Sequence, residues 1–183
     1  AINLYGAPAL TLDQFKSYQQ DLIVGVSLAA SIPWGKYDDN QLINVGANRW
    51  FIQPGLGVSK ALGPWRLELA GAGIFYTSNT NFMGGNSLSQ NPVYSTQTHA
   101  IYYFQNTAWI SVDATYFTGG QSYVNGNPIS GSQENWRFGT TMSYPVNRHN
   151  SIRLSASTGA YSRTNNSYDL YGISWQHRFG GGL

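Results

Sequence analysis

From Asp21 the chain settles into a strict alternation. Leu22, Val24, Val26, Leu28 and Ala30 fall on one side of an extended backbone, and Ile23, Gly25, Ser27, Ala29 and Ser31 on the other. A repeat of two belongs to a β-strand with one apolar face, whereas a helix repeats near 3.6. Seven further segments fit the same template. Two are marked by Trp50, Ile52, Leu56 and Val58, and by Trp65, Leu67, Leu69 and Phe75. Tyr94 to Phe104 is the least regular, with Tyr and Thr in both registers, and Ala108 to Tyr116 follows with Ile110, Val112, Ala114 and Tyr116 on one face. Trp136, Phe138, Met142 and Tyr144 mark the sixth, Ile152, Leu154, Ala156 and Ala160 the seventh, and Tyr171, Ile173, Trp175 and Phe179 the eighth. The pattern therefore predicts eight strands of ten or more residues over 21–183, against about 5 to 6 residues in an average soluble strand.

The opposite faces carry nearly all of the strand charge. They hold Ser27 and Ser31, Gln53 and Ser59, Arg66 and Glu68, Gln97 and His99, Ser111 and Asp113, Arg137 and Ser143, Arg153 and Ser155, and Gln176 and Arg178. In a two-sheet sandwich the apolar faces would meet each other; in a membrane barrel they meet lipid and the polar faces line the lumen. Connection lengths separate the two. Long gaps at 33–48, 77–92 and 119–133 alternate with short ones at 62–64, 106–107 and 146–150, and a moderate one follows at 163–167. Short turns alternating with longer loops are the order of an up-and-down outer-membrane barrel, the short turns periplasmic and the long loops outside. Trp50, Trp65, Trp109, Trp136, Tyr144, Tyr171 and Trp175 lie toward strand ends, where interfacial aromatic girdles belong.

The expected fold is thus an all-β, antiparallel, up-and-down transmembrane β-barrel, a single domain over 1–183. Trp50, Leu67, Val112, Phe138, Leu154 and Ile173 are expected to face lipid. Residues 1–20 read as the end of an earlier strand, Ala1 to Leu4, followed by a short periplasmic helical turn. Thr11 and Gln14 have the spacing of a capping box there, and Leu12, Phe15 and Tyr18 or Gln19 give one apolar side. A strand entering ahead of that turn implies more of the barrel upstream of position 1.

Composition narrows the function classes. Ten Lys and Arg against eight Asp and Glu leave a net charge of +2, too weak a field to imply a nucleic-acid partner. Charged residues make up only 10% of the chain, against roughly 25% in an average soluble domain. The 15% aromatic content argues against disorder. There is no Cys, hence no disulfide, thiolate metal site or Cys nucleophile, and no apolar run approaches the ~20 residues of a membrane-spanning helix.

Candidate chemistry lies on the polar face. The residues expected to line a lumen are Arg66, Glu68, His99, Asp113, Arg137, Arg153 and Arg178, with Tyr76, Tyr103, Trp109 and Phe117 in the same register for an aromatic solute. Four Arg against Glu68 and Asp113 tune a pore for anions, or form ion pairs that plug a narrow barrel; the second reading is favoured for most of them. Ser111, His99 and Asp113 are the residue types of a nucleophile, base and orienting group. No sharp turn exposes Ser111, and the expectation is a hydrogen-bond network without catalysis. His99, His149 and His177 lack ligand spacing, so neither metal nor cofactor is expected.

Specific residues carry a resemblance. Gly6-Ala7-Pro8-Ala9-Leu10-Thr11-Leu12, Gln20-Asp21 before Ile23-Val24-Gly25, Pro33 with Gly35 and Tyr37-Asp38, and Asn44, Gly46 and Asn48-Arg49-Trp50 come first. Pro54 with Gly57 and Ser59, Gln90 and Pro92, Thr115-Tyr116 with Gly119-Gly120, and Asn125-Gly126 continue the series, followed by Asn135, Arg137 and Gly139, and Arg163-Thr164. In order and spacing this resembles the outer-membrane family named for the meta-pathway (MetA-type) of phenol degradation, over Gly6 to Leu183. Gly55 stands where that family commonly has an acidic residue, and Asn165 where Gly is common. The resemblance implies a barrel of the bacterial outer membrane that transports aromatic or other hydrophobic compounds. Its expected partners are membrane lipids and a small-molecule solute, with a homo-oligomer compatible and nucleic acid excluded. The alternatives are a non-transporting structural or surface-interaction barrel and, third, a soluble β-sandwich binding module.

Overall fold

A computed structural model describes residues 1–41, 43–163 and 167–179. In chain order the elements are β1 (Ile2–Tyr5), α1 (Leu12–Ser17), β2 (Leu22–Ser31), β3 (Phe51–Leu62), β4 (Trp65–Tyr76), β5 (Asn79–Phe82), β6 (Asn86–Gln90), β7 (Val93–Tyr103), β8 (Trp109–Gly119), β9 (Ser122–Val124), β10 (Asn127–Pro128), β11 (Gln133–Pro145), β12 (Asn150–Ser162) and β13 (Leu170–His177). Nine of the strands form one sheet in the order β1-β2-β3-β4-β7-β8-β11-β12-β13, every neighbouring pair antiparallel. This is the up-and-down meander that the alternating connections predict. β1 and β13 are its two edges, and among the described residues no pairing joins them.

All eight expected strands are present, with two local differences. β13 has 8 residues rather than ten or more, and Phe179 lies past its end. In the β11–β12 ladder Trp136 faces Tyr161 while Arg137 faces Gly159, leaving Ala160 as the extra residue of a β-bulge. The bulge advances the alternation by one, so Tyr161 rather than Ala160 continues the outward register. Thr164, Asn165 and the end of the chain at Leu183 lie outside the described residues.

The apolar face is bare. Trp50, Leu67, Phe138 and Leu154 are exposed, as are Val112 at 62% and Ile173 at 78%, and among the described residues only Val93 and Ala108 are buried hydrophobics. A sandwich of this size would bury both inner apolar faces against each other. Among the described residues no second sheet covers this apolar face, so the soluble-sandwich alternative is excluded. An apolar surface of this extent is stable only against hydrocarbon or a partner.

The long connections, expected as loops, carry structure of their own. β5 and β6 arise from the β4–β7 connection, β9 and β10 from the β8–β11 connection, and together they form a second sheet in the order β10-β9-β6-β5. The β9–β10 hairpin turns on Asn125 and Gly126, both at positive φ (50° and 80°), which is the demand of a tight two-residue turn. The N-terminal helix closes as its spacing predicts. Thr11 Oγ1 accepts from the Gln14 N–H at 3.4 Å, and Gln14 Oε1 accepts from the Thr11 N–H at 3.0 Å. Phe15 of its expected apolar side is exposed, and the Tyr18 hydroxyl ties the helix back by donating to the Gly6 carbonyl.

Candidate functional site

Strand register builds the polar face row by row. Ser59, Glu68, His99, Asp113, Gly139 and Ser157 are successive cross-strand partners on β3, β4, β7, β8, β11 and β12. Within this row the polar groups satisfy one another. Ser59 Oγ donates to Glu68 Oε1 at 3.1 Å, and Gln20 Nε2 donates to Ser59 Oγ at 3.3 Å. His99 Nδ1 donates to Asp113 Oδ1 at 2.5 Å, while Ser111 Oγ donates to Asp113 Oδ2 at 3.0 Å. The order matters chemically. A hydroxyl nucleophile needs the imidazole as its base, with the carboxylate behind the ring. Here Ser111, only 5% exposed, bonds the carboxylate directly, so the three residues form a hydrogen-bond network rather than a relay.

Beside this row the face is made of small residues. Gly55, Gly57, Ala70 and Ala72 of β3 and β4 leave an open groove of about 430 Å³, whose polar lining includes Gln53, Glu68, Gln97 and His99. A Cβ added at Gly55 would stand 2.7 Å from Ser27 Oγ, so an acidic side chain there would displace that hydroxyl.

The arginines do not pair with the carboxylates. Asp21 pairs with Lys60, and Asp113 with the His99 imidazole. Three of the four expected strand arginines lie instead over aromatic rings. Arg66 stands 5.2 Å from the Tyr103 ring centroid and its Nη1 donates to Tyr103 Oη at 3.2 Å. Arg153 stands 5.3 Å from Trp109, and Arg137 stands 4.0 Å from Tyr168 with Nη2 donating to Ser157 Oγ at 3.1 Å. The favoured ion-pair arrangement is thus corrected. Glu68 and Asp113 are engaged by Ser59, His99 and Ser111 in the row between Arg66 and Arg137, and the ring faces attract the guanidiniums through their quadrupoles. Arg178 lies just past β13, where its backbone N–H donates to the His149 carbonyl at 2.7 Å, so it is a strand-end residue and not part of a strand face.

Sequence reasoning missed a fourth stack. Arg49, in the β2–β3 connection, stands 4.4 Å from the Tyr76 ring and its Nη2 donates to Gln90 Oε1 at 2.6 Å. Burial pulls its guanidinium below the ordinary range, an effect that Tyr76 opposes, and it stays cationic at physiological pH. Gln90 Nε2 in turn donates to the Gly120 carbonyl at 3.0 Å. Asn79, 1% exposed, joins the connections again: Asn48 Nδ2 donates to its Oδ1 at 2.9 Å and its Nδ2 donates to Tyr37 Oη at 2.9 Å. The Asn48-Arg49-Trp50 run was the available signal, but nothing in one sequence says which loop it would meet. Among the described residues no group of His, Asp and Glu is arranged to hold a metal ion.

A long antiparallel meander with a bare apolar outer face and a hydrogen-bonded polar inner face is the architecture of an outer-membrane β-barrel. Residues 4–177 match the family named for the MetA pathway of phenol degradation, and the chain belongs to that family. Among solved structures, an outer membrane channel from Pseudomonas putida F1 is similar, with a TM-score of 0.75 and 20% sequence identity over 85% of this chain and 59% of that one. The chain therefore spans a little under three-fifths of that channel's length. No curated protein matches it.

Proposed function

We propose that the chain forms the wall of a bacterial outer-membrane channel that passes small aromatic or otherwise hydrophobic compounds. One observation carries this reading: a sheet whose apolar face is exposed holds Tyr76, Tyr103, Trp109 and Phe117 in the opposite register beside ordered polar groups, and in this reading that face lines the lumen. A lipid-facing band supplies the membrane fit, and ring faces set among hydrogen-bonding groups supply transient contacts for a ring-bearing solute. Hydrocarbon tolerates no open sheet edge, so in this reading β1 and β13 are paired in the membrane, with each other or with further strands. The partners are lipid and solute. The chain is not an enzyme in this reading, because Ser111 is bonded to Asp113 rather than to His99.

A non-transporting structural barrel is the second reading, and the hydrogen bonds of Asn79 and Arg49 that tie the long connections together favour it. Uptake separates the two. Cells lacking the protein are expected to take up a neutral aromatic such as phenol more slowly at low concentration, with recovery on re-expression of the full-length protein. Unchanged uptake, together with no conductance in planar bilayers, would put the structural reading ahead.

A further inference from the structure

We infer that the short-turn end of the inner face is a binding site for aromatic carboxylates, formed by Arg66, Tyr103, Trp109 and Arg153. The inference rests on the channel reading and narrows its solute from neutral rings to ring-bearing anions. Tyr103 and Trp109 are direct cross-strand partners on β7 and β8, both in the inward register. Arg66 flanks them from β4, and Arg153 reaches Trp109 from β12, across Ser143 of β11. Two adjacent rings are thus bracketed by two guanidiniums on the same face.

Among the described residues no carboxylate pairs with Arg66 or Arg153. Glu68 and Asp113, the nearest inward carboxylates in the strand register, are taken by Ser59, His99 and Ser111. The Arg153 side chain makes no hydrogen bond among the described residues, and Nε of Arg66 is buried without a partner. A guanidinium lying over a ring uses its face, which leaves its in-plane N–H groups for an acceptor, apart from Arg66 Nη1, which donates to Tyr103 Oη. A carboxylate is the acceptor whose two oxygens match that fork. A neutral ring would leave both cations unpaired, and a small inorganic anion would leave the ring faces unused. An anion whose carboxylate sits directly on an aromatic ring answers both demands over the length of one side chain. The stacks of Arg137 on Tyr168 and of Arg49 on Tyr76 repeat the same pairing toward the long-loop end, so a solute released from one cluster meets another of the same chemistry.

Benzoate is the probe, and equilibrium binding to the purified full-length protein in detergent is the measurement, because it does not depend on transport. Calorimetry is expected to show benzoate binding about tenfold more tightly than cyclohexanecarboxylate, acetate or phenol. Arg153→Gln and Arg66→Gln should each weaken benzoate by about tenfold. Tyr103→Leu should weaken benzoate while leaving acetate unchanged. Folding of each variant is checked by heat-modifiable migration on gels, and Arg153→Gln, whose side chain makes no hydrogen bond, is the variant least exposed to misfolding. Benzoate and acetate binding equally, or neither Arg variant changing benzoate, would overturn the site. Phenol uptake without benzoate binding would overturn the site and leave the channel standing. Benzoate binding without flux of either compound would keep the site and remove the channel.

Discussion

At the scale of single residues, what each inward side chain touches decides its role more than its charge does. Arg137 and Arg153 look like partners for Glu68 and Asp113 when read from register alone, yet both lie over rings and the carboxylates bond hydroxyl and imidazole groups. Loss of either arginine therefore strands no buried carboxylate. Asn79 is the opposite case. Its side chain is buried and joins Asn48, Tyr37 and the Asn81 N–H at 3.0 Å, so removal leaves several polar groups without partners. Asn79→Ala is expected to cost about 1 to 3 kcal/mol, the desolvation of groups left unpaired in a dry site. Because its partners lie in the long connections, the loss should appear as faster amide exchange in 33–48 and 77–92, with the main sheet unchanged. Exchange rising uniformly over the whole chain would show that Asn79 supports the barrel wall rather than its mouth.

At the scale of elements, the alternation that names the strands also fixes which substitutions the membrane tolerates. Val112 of β8 faces Ala100 and Thr140 across the ladders and is 62% exposed on the apolar face, whereas Gln97 of β7 lines the inner groove. Val112→Arg is expected to cost about 2 to 4 kcal/mol if the position lies at the bilayer midplane, while Gln97→Arg should be far milder. Reversible unfolding in lipid vesicles measures both, and equal costs would contradict the assignment of faces. The strands were legible because period two persists over many residues in each, so single irregular positions such as Gly71 or Thr140 do not hide it. The second sheet was not. β5 and β6 read Asn79-Thr80-Asn81-Phe82 and Asn86-Ser87-Leu88-Ser89-Gln90, too short and too polar to show a period, and β6 pairs with β9 more than thirty positions away. The bulge at Ala160 was equally hidden, since one extra residue looks like continued alternation until a partner strand is present. The inward register of the candidate site was legible for the same reason as the strands, while its Arg-ring contacts depend on rotamers and on loops that period two does not describe.

At the scale of the whole molecule, orientation in the membrane follows from connection length, and the chain's sparse charge makes it measurable. The connections at 77–92 and 119–133 contain no Lys or Arg, and of the two basic residues in the β2–β3 connection Arg49 is held against Tyr76 and Gln90, which leaves Lys36 as the exposed trypsin target. On the opposite side the β11–β12 turn carries Arg148. Both residues are exposed, hence access from outside the cell, rather than local folding, decides which is cut. The β2–β3 connection is also held by fewer pairings than its neighbours: it contributes no strand to the second sheet, and Trp34, Ile43 and Val45 are 85%, 87% and 94% exposed. Trypsin added to intact cells is therefore expected to cut after Lys36 and to spare Arg148, while permeabilised cells should show both cuts. Cleavage after Arg148 alone from outside would place the short turns at the cell surface. The Arg66, Tyr103, Trp109 and Arg153 cluster would then stand at the external mouth, where a ring-bearing anion would meet it on entry rather than on release.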